Sequence, residues 1–180
     1  MTTGPETEVV TGVSVSHSDA RVEQIETVAA DSTAEAVRAL YDQAGVTEAF
    51  VLQTCNRAEA YVVAETAAVG RDALATYLDG VDPTVARTLD HEASLRHLMS
   101  VACGLESLVL GEDQIIGQIR DAYETARGLG AIGPTLDDAL LKALHVGERA
   151  RSETAINEGT LSLGSAAVRF AGSRQGLDGA

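Results

Sequence analysis

Cys55 is the position whose type and neighbours best suit chemistry. It follows the apolar run Ala49-Phe50-Val51-Leu52 and sits inside Gln53-Thr54-Cys55-Asn56-Arg57. Polar neighbours argue against simple core filler there, and a nearby guanidinium favours the thiolate. A thiolate attacks esters and thioesters, while Arg57 suits a substrate carboxylate through a bidentate pair. The competing reading is a small residue at a strand end, with Arg57 in a surface ion pair.

Four histidines are candidate acid–base partners: His17, His91, His97 and His145. His91 and His97 are six residues apart, which at about 100° per residue puts them on different faces of a helix, so no shared metal site is expected. His97 falls on the apolar side of its helix, where a lone histidine is commonly a satisfied core residue. The stretch from Gly104 to Gln114 sets Glu106, Ser107, Glu112 and Asp113 among glycines, ahead of a helix whose N-terminus can receive an anion or ester oxygen. Gln118 follows one turn after Gln114 on the same face. Capping by Glu112 and Asp113 explains the same residues without a ligand.

These groups need elements to hold them. Val9, Val10, Val13 and Val15 predict a first strand ending near His17, followed by helices over 20–29 and 34–41, the second stopped by Gly45. The apolar runs 49–52 and 60–64 predict two strands joined by a tight polar connection, placing Cys55 at a strand end. Helices are predicted over 71–78 and 92–103, from a start at Asp82-Pro83, and over 112–128, 135–153 and 161–171. Strands come early and helices late, which predicts an α+β domain with a helical extension.

Composition narrows the setting. With 180 residues, one domain or one domain with an appendage is expected. The chain has no Trp and only two Phe, so its core must come from Ala, Val, Leu and Ile. The net charge of −14 opposes approach to an anionic membrane or nucleic acid at ordinary ionic strength. The basic set is twelve Arg and one Lys, Lys142, under a dense acidic surface, which reads as salt adaptation. At about 1 M salt the Debye length is roughly 3 Å, so repulsion from an acidic partner is largely screened. Residues 1–90 carry five basic and fifteen acidic groups, residues 91–180 eight and twelve, so any anion-tolerant surface is expected in the second half. No apolar stretch reaches membrane-spanning length and the start lacks a signal pattern, so a cytoplasmic location is expected. Two cysteines, Cys55 and Cys103, make no disulfide framework.

In order and content, the motifs resemble the amino-terminal catalytic part of the glutamyl-tRNA reductase family. The matching pieces are Val13 to His17; Thr54-Cys55-Asn56-Arg57 with Glu59 following; His97 to Ser107; Val109 to Gln118; Arg149 to Thr154; and Ser162 to Val168. The resemblance implies a ferredoxin-like antiparallel sheet. It also implies an NADPH-dependent enzyme that reduces glutamyl-tRNA to glutamate-1-semialdehyde through a cysteine thioester, opening five-carbon tetrapyrrole synthesis. By it, Cys55 is the nucleophile and His97 stands where the family has a histidine important for activity. Thr54, Asn56, Arg57, Ser107, Glu112, Asp113, Gln114 and Gln118 fall where the family binds the glutamyl moiety, Arg57 taking the carboxylate.

Departures qualify the match. Asp113 stands where proline is usual, adding negative charge beside the expected pocket. Cys103 replaces a common serine and reads as packing. Glu148 sits where the family tends to be basic, which argues against Arg149 and Arg151 gripping tRNA phosphates. No glycine fingerprint lies between a strand and a helix, so NADPH is expected to bind outside this chain. The expected organisation is a flexible start over 1–7, a catalytic glutamyl-tRNA-binding domain over 8–157, and over 158–180 the beginning of a linker helix. In isolation such a chain forms the thioester and loses it to water or another thiol. The family further implies a homodimer through a missing C-terminal domain and contact with glutamate-1-semialdehyde aminomutase. Two alternatives remain: a truncated module that binds glutamyl-tRNA or pairs with a reductase without turnover, and a purely structural helical domain, which leaves Thr54 to Arg57 unexplained.

Overall fold

Two apolar runs flanking Thr54 to Arg57 fold back on each other as a hairpin. A computed structural model describes residues 9–156. The elements are β1 (Val9–Ser16), α1 (Val22–Val28), α2 (Thr33–Tyr41), β2 (Val46–Thr54), β3 (Arg57–Ala64), α3 (Ala67–Tyr77), a 3-10 turn (Pro83–Val85), β4 (Arg87–Leu89), α4 (His91–Ala102), α5 (Gln114–Gly128) and α6 (Pro134–Glu153).

The sheet runs β2-β3-β1-β4, and each neighbouring pair is antiparallel. This is the split βαβ arrangement expected of a ferredoxin-like α+β domain, with two helices in the first crossover and one in the second. Alternation along β3 divides its side chains between two faces. Ala58, Ala60 and Val62 point one way, where Gly70 of α3 lies against Thr11 and Val62 and α1 adds Ile25 and Val28 to Val15 and Ala58. Arg57, Glu59 and Tyr61 point the other way, toward His97 of α4. A larger core built from Phe50, Tyr61, Leu98, Ile119 and Leu140, with many Val and Ala, joins β2 and β3 to α4, α5 and α6.

Local chemistry sets most helix starts. Ser32, Thr66 and Asp90 each accept the amide of the residue three positions on, at Glu35, Val69 and Ala93. The start of α6 is capped from a distance instead. The buried carboxylate of Glu48, on β2, accepts the Thr135 amide at 3.0 Å and the Leu136 amide at 2.6 Å.

Two elements depart from those the sequence predicts. β4 was not anticipated, because three residues are too few to show alternation; only pairing with Gly12–Ser14 of β1 makes them a strand. The helix start expected at Asp82-Pro83 is a single 3-10 turn. The helix expected at 161–171, like the segments 1–7 and 158–180, lies outside the described residues.

Candidate active site

Thr54 pairs with Arg57 across the hairpin, so Cys55 and Asn56 are the two residues of its turn. The Thr54 hydroxyl accepts the Asn56 amide at 3.2 Å, and the Asn56 carbonyl accepts the His17 amide at 3.0 Å. The end of β1 therefore braces the turn, and the Cys55 thiol is left free and exposed. Facing it are the loop after α4 and the first turns of α5. Together they enclose a cleft lined by Thr54, Cys55, Asn56, Arg57, Ser107, Leu108, Glu112, Gln114, Ile115 and Gln118. Its volume is about 30 Å³, room for roughly one or two waters.

One wall is the loop between α4 and α5. Gly104 has φ +75° and sits so close to Gly111 that a Cβ would lie 2.9 Å from the Gly111 Cα, so only glycine fits there. The Gly111 amide donates to the Gly104 carbonyl at 3.0 Å, closing the loop at its neck. Leu105, Leu108 and Leu110 on it are each more than half exposed.

Behind the cleft lies a buried charge cluster. The Arg57 guanidinium is 2% exposed and the Glu59 carboxylate fully buried, and they pair at 2.9 Å. Arg57 also donates to the Glu106 carbonyl. Glu59 accepts from Tyr61 at 2.8 Å and Ser14 at 3.3 Å, and its Oε1 lies 3.0 Å from His97 Nε2. Burial alone would raise the Glu59 carboxyl. The hydrogen bond and charge of His97, the Arg57 charge and the Tyr61 hydroxyl outweigh it and hold Glu59 below the usual carboxylate value. Burial, followed by the Glu59 charge, pushes the Tyr61 phenol well up, so it remains a donor. The cluster joins one buried guanidinium and one carboxylate to an imidazole, a phenol and a hydroxyl.

Of the residues singled out in the sequence, Thr54, Cys55, Asn56, Arg57, Ser107, Glu112, Gln114 and Gln118 all line the one cleft. Asp113 does not: its carboxylate is 76% exposed and pairs with Arg151 at 3.0 Å. His97 is buried and opens onto a neighbouring cleft of about 360 Å³, beside Arg87, Arg96 and Glu106. Its link to Cys55 runs through Glu59 and Arg57. Arg57 is not a surface cation, as the competing reading supposed, but a buried one already partnered. Cys103 is buried, and burial raises its thiol pKa, in keeping with packing. Glu59 enters the sequence only as a motif neighbour of Arg57, and Tyr61 and Ser14 carry no expected role. The signal was present in the strand parity: Arg57, Glu59 and Tyr61 at alternate positions put polar groups on one face of an otherwise apolar strand.

Residues 13–154 match the family described as glutamyl-tRNAGlu reductase, N-terminal domain. The chain belongs to that family. It is 67% identical over 174 residues to the glutamyl-tRNA reductase of Natronomonas pharaonis, covering 97% of this chain and 38% of that protein. The Haloquadratum walsbyi reductase is 56% identical over 173 residues, covering 96% and 38%. The solved glutamyl-tRNA reductase of Methanopyrus kandleri superposes with a TM-score of 0.77 at 36% identity, over 93% of this chain and 40% of that one. The chain thus spans about two fifths of the length of the reductases it matches, several of them from halophilic archaea. This agrees with the salt-adapted surface read from its arginine-rich, acidic composition.

A dinucleotide cofactor is implied by the family, and the described residues do not fit one. Their sheet is antiparallel throughout, whereas the usual dinucleotide cradle is a glycine-rich turn between a parallel strand and a helix. Among the described residues there is no group of three or more metal-ligating side chains, and no helix long and apolar enough to cross a membrane.

Proposed function

We propose that this domain binds the glutamyl ester of tRNA and transfers the glutamyl group to Cys55, the first half of an NADPH-dependent reduction to glutamate-1-semialdehyde in tetrapyrrole synthesis. The observation that carries the reading is the cleft: an exposed thiol on a braced turn, enclosed by polar side chains from three separate segments. In the step, the Cys55 sulfur bonds to the glutamyl carbonyl carbon, the carbon–oxygen bond to the tRNA ribose breaks, and the thiol proton ends on the released hydroxyl. Attack by a thiolate splits one difficult transfer into two easier ones.

Arg57 anchors the substrate carboxylate in this reading. Its charge is already matched by Glu59, so the incoming carboxylate shares the guanidinium. His97, 3.0 Å from the same Glu59 oxygen, holds that carboxylate in place against Arg57. His97 is thus a positioning residue acting through Glu59 and Arg57. Ser107, Glu112, Gln114 and Gln118 orient the amino group and ester around the thiol. Asp113, facing away and bound to Arg151, is assigned no contact with substrate. Homodimerisation and contact with the aminomutase are assigned to no described residue.

The test is incubation of the chain with glutamyl-tRNA labelled in the amino acid. Acid-stable, hydroxylamine-labile label on the parent, absent from Cys55→Ser, is the expected result. Binding of the tRNA without label favours a recognition module, and no binding at any salt concentration defeats both readings.

A further inference from the structure

The strongest unexplained feature outside the cleft is Arg151, in the last turn of α6. Its side chain is 11% exposed and every arm of the guanidinium is used. Nη1 donates to the Ala102 carbonyl and to the Gly147 carbonyl, each at 2.8 Å; Nη2 donates to the Glu112 carbonyl at 2.6 Å; and Nε donates to Asp113 at 3.0 Å. Ala102 is the last residue of α4 and Glu112 precedes α5 by two positions. One planar group therefore ties together the two ends of the loop that walls the Cys55 cleft.

We propose that Arg151 is a positioning residue for the Cys55 cleft, its guanidinium fixing the separation of Ala102 and Glu112 and so holding Glu112, Gln114 and Gln118 opposite the thiol. Three features argue for this over a general role in stability. The Ala102 carbonyl ends α4, where a carbonyl lacks an intrahelical partner, and the Glu112 carbonyl lies in the loop just before α5; a fork of fixed geometry satisfies both at a set spacing. The close approach of α6 to α4 is prepared for it: a Cβ on Gly147 would lie 2.5 Å from the same Ala102 carbonyl that Arg151 binds. The body of the loop is held by the other buried guanidinium, Arg57, through the Glu106 carbonyl. The loop is thus set from its neck by Arg151 and from its middle by the residue that anchors substrate.

As far as catalysis is concerned, the inference rests on the acyl-transfer reading, so its test includes arms that do not. In the 180-residue chain, Arg151→Ala, Arg151→Lys and Arg149→Ala are compared with the parent for Cys55 alkylation by iodoacetamide, amide exchange and glutamyl transfer from labelled glutamyl-tRNA. Among the described residues Arg149 pairs with Glu153 on its own helix, so its variant removes the same charge without touching the loop and matches the parent. In Arg151→Ala, exchange over 103–113 accelerates while β1 and β3 stay protected, alkylation speeds up, and transfer falls on the order of tenfold to a hundredfold, the cost of a misplaced wall. Millimolar guanidinium restores transfer, and Arg151→Lys, with the charge but not the fork, behaves like the alanine variant. The proposal is overturned if lysine restores parental behaviour, if alkylation and transfer are unchanged in the alanine variant, or if exchange rises uniformly across the sheet. A parent chain that takes no label defeats the acyl-transfer reading alone; alkylation and exchange still decide the role of Arg151.

Discussion

Glu59 serves four side chains with one carboxylate: Arg57, His97, Tyr61 and Ser14. Removing its charge leaves a guanidinium desolvated and unmatched, which is more damaging than the intact pair is stabilising. Glu59→Gln is expected to lower the unfolding free energy by about 3–5 kcal/mol, read from denaturant midpoints. The pH dependence follows from the depressed carboxyl of Glu59. Its stabilising share is complete above the unfolded-state value of about 4.3 and is lost as pH falls through the lower native value. Stability of the parent therefore falls steeply on the acid side, and the Gln variant shows a shallower acid limb in the same titration. Much of the cleft was legible beforehand: a cysteine between polar residues at a strand end, and two glutamines one helical turn apart. The charge cluster was not, because its members meet only through the register that sets Glu59 opposite Ser14 and the packing of α4 on that face.

The elements depend on a few long-range contacts that no local pattern announces. α6 begins on the Glu48 carboxylate and passes Ala102 at Gly147. Glu48→Ala is expected to cost about 1.5–3 kcal/mol for each charge-assisted hydrogen bond lost, seen as a lower thermal midpoint with weakened protection at the start of α6. Gly147→Ala drives a methyl into the Ala102 carbonyl and is expected to cost about 1–3 kcal/mol, with faster alkylation of Cys55 as α4 and α6 separate. The strands beside the cysteine and the amphipathic helices were readable from period alone. Both apolar runs lengthen in the structure, to Val46–Thr54 and Arg57–Ala64, because pairing recruits polar residues such as Glu48 and Glu59 that a hydrophobic window rejects. β4 and the distant cap of α6 arise from tertiary contacts, and for that reason were not visible in a linear reading.

At the scale of the molecule, a net charge of −14 repels itself across the surface. The exposed pairs Arg120–Glu148, Lys142–Asp138 and Arg149–Glu153 each contribute little, roughly 0–1 kcal/mol. Raising salt from about 0.1 M to about 1 M shortens the Debye length from roughly 10 Å to roughly 3 Å, so screening of the repulsion outweighs the weakening of these pairs. The melting temperature is expected to rise across that range in scanning calorimetry, while the gap between parent and Glu59→Gln stays constant because ions do not reach the buried pair. That separation has an evolutionary consequence. With the cation that matters sealed inside and matched by its own anion, a lineage entering brine can load the exterior with carboxylates, residue after residue, without retuning the chemistry at the thiol.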